Sequence, residues 1–163
     1  MESILINLID RLARELPWAR TVDEDYGQLE ALDDENIDMY PLTLPAILID
    51  LPGTDWSDAG DCTQRGTCEV RVRLILDCYD DTHAGNQTTE RIMQREDKRK
   101  ALHTLLQGYR PMEDGALIRT RSKFFTFNHG IKVYEATYTC AVSEATRGTK
   151  TIDRRRLTVV VKT

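Results

Sequence analysis

An α+β fold is what this sequence predicts: a mostly antiparallel sheet with two helices packed on one face, in a single domain over residues 1–163. Three observations carry the prediction. Glu69–Tyr79 alternates, with Val70, Val72, Leu74, Leu76 and Cys78 on one side and Glu69, Arg71, Arg73 and Asp77 on the other, as a strand with one dry face does. Leu5, Leu8, Ile9, Leu12 and Leu16 recur at helical spacing, as do Leu102, Leu105 and Leu106, so two helices each have an apolar stripe to bury. Ala116–Phe127 and Ile131–Val142 flank Asn128-His129-Gly130, which is the pattern of a hairpin.

In chain order, Ser3 is placed to cap a helix over Ile4–Leu16, and Pro17 stops it. Val22 begins a short strand and Leu29–Leu32 forms a helical turn inside a longer polar segment. Pro45–Leu51 is an almost continuous apolar run and reads as a buried strand. Pro52–Trp56 then reads as a turn. After the long strand, residues 80–87 have loop composition. Thr88 or Thr89 caps the second main helix, which runs to about Gln107 and ends before Gly108. Ser143–Asp153 is a polar linker, and Leu157–Thr163 reads as a terminal strand.

The chain has 163 residues and a formal net charge of −5, a balance that disfavours generic nucleic-acid binding. No apolar run approaches the ~20 residues of a membrane span, and Met1–Ile4 lacks the basic start of a secretory signal. These features favour synthesis in the cytoplasm. Four cysteines stand at positions 62, 68, 78 and 140. Cys78 and Cys140 fall on apolar strand faces and read as small core residues. Cys62 and Cys68 flank a presumed loop, where a disulfide is geometrically feasible but disfavoured in a reducing compartment.

No phosphate-binding glycine loop, nucleophile elbow or His-Glu-x-x-His helix is present. The three histidines lie in different elements, so no acid–base pair stands out, and His103 reads as a histidine satisfied by a neighbour or by solvent. The expectation is that the protein is not an enzyme and has no catalytic, cofactor or metal residues. Asp55, Asp58 and Asp61 have the wrong spacing for an EF-hand. Asp77, Asp80, Asp81 and His83 read first as a strand end and solvated loop. Their alternative is the metal site of a small hydrolase. Arg119, Arg121, Lys123, Phe125 and Phe127 supply a second alternative, a surface on which single-stranded nucleic acid stacks.

Charge is distributed unevenly. From Thr21 to Gln64 there are twelve acidic residues and no Lys or Arg. Its densest parts are Asp23-Glu24-Asp25 and Asp33-Asp34-Glu35, and Arg154-Arg155-Arg156 lies near the C-terminus. These nine residues are the candidate interface, provided that the acidic and basic patches fall on opposite sides of the fold. Such a layout suits a heterologous contact between copies, which closes into a ring when the rotation allows.

The order of elements carried by Leu5–Leu16, Pro45–Trp56, Glu69–Tyr79 and Ala101–Tyr109 resembles the tail-terminator and minor tail proteins of long-tailed bacteriophages and prophages. That resemblance implies an α+β fold, a homo-oligomeric ring (often a hexamer) at the end of the tail tube, and no enzymatic activity. It further implies partners among other tail and head–tail joining proteins, with assembly in the bacterial cytoplasm and residence in the virion tail. Another head–tail connector or a tail-tube component shares the same logic of assembly. The acidic insertion and the three-arginine run depart from the general layout of the family.

Overall fold

The protein is described by a computed structural model, which covers residues 2–32, 42–78, 88–127 and 130–146. The chain runs α1 (Glu2–Glu15), β1 (Thr21–Glu24), α2 (Gln28–Ala31), β2 (Ala46–Asp58), β3 (Thr63–Asp77), α3 (Thr88–Leu106), β4 (Ile118–Phe127) and β5 (Ile131–Ala145). The strands form one sheet in the order β1-β2-β3-β5-β4. Three of its four pairings are antiparallel, and β1 with β2 is parallel. The fold is therefore α+β as expected, with a mixed sheet. The parallel pair follows from the long connection after Glu24, since parallel neighbours need a crossover rather than a hairpin.

Both main helices cover one face. Ile4, Leu5, Leu8 and Leu12 of α1 join Leu102 and Leu106 of α3 over Ile47, Ile49, Val70, Val72, Leu74 and Leu76. Helical and strand periodicities meet here, each element presenting its apolar side to the same layer. Ser3 lies inside α1 rather than capping it, because the helix already includes Glu2. Gly108 follows α3 with φ of 79°, the left-handed conformation that glycine accepts without a Cβ penalty. Ile92 and Met93, early in α3, remain exposed.

The opposite face is not simply charged. Ile75, Ala46, Leu48 and Val133 are fully or almost fully buried there beneath Leu29 of α2, with Leu42, Leu44 and Phe125 around them. Residues on both sides of the α2 segment thus give this face a smaller core.

Two loops are displaced from their expected places. Residues 52–56 continue β2 through an irregularity between Asp50 and Gly53, and β2 pairs with β3 out to Asp58 and Gln64. The reversal instead lies at Ala59–Cys62, where Asp61 and Cys62 have φ of 52° and 61°. A bulge had absorbed the Pro-Gly pair that otherwise reads as a turn. Consequently residues 63–68 belong to β3, and Cys62 and Cys68 lie ~20 Å apart along an extended chain. That separation excludes the disulfide between them. All four cysteines are free. Cys68 faces Cys140 across β3 and β5, and its hydrogen bond, together with burial, pushes the Cys140 thiol upward.

Candidate assembly surfaces

The irregularity at Asp50/Gly53 divides β2 and β3 into a core half and a projecting half. None of residues 53–67 is buried. This arm is held by strand pairing, which extends on to Ala145 of β5 opposite Thr63. Trp56 lies opposite Gly66, and a Cβ at Gly66 would meet its ring at 2.9 Å. The glycine therefore gives the indole a flat seat on the next strand. Asp58 accepts the Gly60 N–H at 2.9 Å and fixes the tip. Asp55, Asp58, Asp61 and Glu69 are exposed along the arm, with Arg65 as the opposing charge.

At the other end of β3, Arg91, Arg95 and Lys98 of α3 line a cavity of ≈ 230 Å³ with Leu44, Pro45, Leu76, Asp77, Cys78 and Gln94. The three cations recur at helical spacing and share one side of α3. Arg95 donates from Nη1 to Cys78 Sγ at 3.6 Å. Its Nε is shut from solvent and has no hydrogen-bond partner among the described residues. Lys98 sits 5.8 Å from the centre of the Trp18 ring.

A charge cluster lies beneath α2. The Arg73 guanidinium, 13% exposed, meets Asp25 at 3.2 Å, Glu30 at 2.8 Å and Glu135 at 3.1 Å. Burial opposes its charge, but the carboxylates outweigh burial and raise its pKa. Burial likewise opposes ionisation of Glu135, yet hydrogen bonds from Lys123 and Arg73 hold its pKa below the usual carboxylate range. Arg71 pairs with Asp50 on the same face. Of the predicted acidic interface, Asp25 is thus turned inward onto Arg73, Asp23 accepts the Glu24 N–H, and Glu24 is exposed. Asp33, Asp34, Glu35, Arg154, Arg155 and Arg156 lie outside the described residues.

On the helix-covered face, His103 Nδ1 and the Tyr138 hydroxyl are 2.9 Å apart, so His103 has the neighbour expected of it. Burial, with Arg119 and Arg99 nearby, lowers the His103 pKa. Burial pushes the Tyr138 hydroxyl up to about 12.

The alternative sites are covered only in part by the described residues. Among the described residues, no three His, Cys, Asp or Glu side chains are grouped to hold a metal ion. Asp77 is at the end of β3, whereas Asp80, Asp81 and His83 lie outside the described residues. The nucleic-acid strip is divided. A register shift between Arg119 and Arg121 places Arg119 opposite Tyr138 and Arg121 opposite Thr137. Arg119 therefore points to the helix-covered face, and Arg121, Lys123, Phe125 and Phe127 to the other. Lys123 is paired with Glu135 at 3.1 Å. The same register puts Phe124 opposite Tyr134, with ring centroids 5.1 Å apart. The sequence carried no signal for the bulge, because nothing between Arg119 and Arg121 breaks a strand pattern.

No helix among the described residues is long and apolar enough to cross a membrane. No family model matches the chain, and no curated protein matches it. Among solved structures, the chain is similar to one from the virion of a native gene transfer agent particle, with a TM-score of 0.51 at 13% identity. The alignment covers 86% of this chain and 94% of the other. At that identity the likeness is one of fold.

Proposed function

We propose that this protein is a structural component of a phage-type particle, with the tail-terminator or tail-completion role that its order of elements resembles. The observation that carries the reading is the end-to-end likeness to a virion chain, 86% of one and 94% of the other. A match of that extent compares whole folds rather than a shared helix pair. In this reading the chain assembles with copies of itself into a ring, a hexamer in the form the resemblance implies, and joins other tail and head–tail proteins. Its site of assembly is the bacterial cytoplasm and its destination the virion tail. The reading gives it no enzymatic activity.

The projecting arm supports an assembly role on physical grounds. Residues 53–67 bury no side chain of their own, so hydrophobic packing within the monomer gives no reason for so long an extension. Subunit contact does. The test is electron microscopy of the purified chain, alone and mixed with tail tubes lacking their end protein. Rings in the first sample, or density capping the tube ends in the second, are the expected result. Uncapped tubes and a strict monomer would overturn the reading.

A further inference from the structure

We propose that the arm of one copy docks, through its acidic tip, into the basic cavity on α3 of the next copy. This rests on the assembly reading above and names the contact that would carry it.

Distance separates the two surfaces within one chain. The arm tip precedes Thr63 and the cavity adjoins Asp77, at opposite ends of the fifteen-residue strand β3. Fourteen steps of an extended strand separate them by ~45 Å. The two surfaces cannot satisfy each other within one chain. Between copies they form a heterologous contact, in which each subunit offers its arm to one neighbour and its cavity to the other.

Charge and donor inventory identify the occupant. The arm exposes Asp55, Asp58 and Asp61 near its tip, and Arg65 is its only cation there. The cavity is lined by Arg91, Arg95 and Lys98 against Asp77. Arg95 brings a sequestered Nε without a hydrogen-bond partner among the described residues. Carboxylates are the acceptors that a guanidinium matches best, through charge-assisted and bidentate bonds. The cavity of ≈ 230 Å³ accommodates side chains from a hairpin tip. Complementary charge would set the register and direction of docking, so a ring built this way has a handed sense of rotation.

The experiment uses two charge reversals in the full chain, D55K/D58K on the arm and R95E/K98E in the cavity. Mass is measured by light scattering over protein concentration, and folding of each variant is checked by circular dichroism and thermal melting. Each reversal alone should weaken self-association at least tenfold in concentration, because its altered surface meets an unaltered one of like charge. Mixing the two variants should restore assembly, since each interface in an alternating ring is again complementary. Folded variants that assemble like wild type would overturn the docking while leaving the ring reading intact. So would loss of assembly with the cavity reversal alone, which would assign the cavity to another acidic segment. A wild-type chain that stays monomeric at every concentration would overturn the docking, and tube-end capping would then decide the assembly reading separately.

Discussion

At the scale of single residues, Arg73 ties three carboxylates from separate parts of the chain to one guanidinium. It joins the β1–α2 connection through Asp25, and α2 through Glu30, to β5 through Glu135. Replacing it leaves carboxylates in surroundings where Asp25 and Glu135 side chains are 5% and 9% exposed. Arg73→Leu should therefore cost ~3–5 kcal/mol in urea unfolding, the range for breaking one side of a buried ion pair. The Glu135 carboxylate has a lowered folded pKa. Its contribution is complete above the unfolded value near ~4.3 and is lost as pH falls through the folded value. In the Leu variant that acid-side slope should flatten. A second residue-scale test concerns His103, whose folded pKa is also lowered. For a base, the stabilisation this reflects is complete above ~6.5 and declines as pH drops from there toward the folded value. Tyr138→Phe removes the hydroxyl facing Nδ1, and should cost ~1 kcal/mol by urea titration at pH 8. Equal stability of the variant and wild type would show that the bond contributes nothing net.

At the scale of elements, what was legible depended on whether a local pattern was also the tertiary one. The stripe of Leu5, Leu8 and Leu12 and the alternation of Val70, Val72 and Leu74 each end in the shared core, because periodicity and burial have the same physical origin there. Pro52-Gly53 misled for the opposite reason. Turn residues also occur at bulges on edge strands, and only the partner strand decides between the two. The same holds at Arg119, where a one-residue slip moves a side chain to the other face. Ile75 lies on the same side of β3 as Arg71 and Arg73, yet α2 gives that side its own core, and no local pattern announces a covering segment. An element-scale prediction follows from the return of the chain toward β5. A Cβ on Gly115 would lie 2.4 Å from the Ala141 backbone nitrogen, and backbone cannot yield as a side chain can. Gly115→Ala should lower stability by ~1–3 kcal/mol. An unchanged melting temperature would show that residues 109–117 move aside freely.

At the scale of the whole molecule, the sheet has a guarded edge where it leaves the core. Beyond Ile49, β2 has no partner on its outer side among the described strands. Pro52 interrupts donors, and Asp50, Asp55 and Asp58 place charge along the margin, devices that discourage indiscriminate strand addition. The carboxylates proposed to meet the next subunit thus also protect the free monomer. Removing them without reversal, in D55N/D58N, should both weaken assembly and increase aggregation of the monomer, read by light scattering at low salt. Assembly unchanged by this variant would separate the two roles. Asp23–Asp25 and Arg154–Arg156 stand out in the sequence because each is an unbroken charge run. The charges of the arm and the cavity form no such runs, because they are interleaved with other residues and come together only through the hairpin and one side of α3. The unbroken course of β3 from arm to core has a mechanical consequence. A pull on the arm tip along the strand would load the hydrogen bonds to β2 and β5 in shear, many at once, instead of opening them singly like a zipper. A subunit tethered by its arm is thereby held by the whole length of the sheet's central strand.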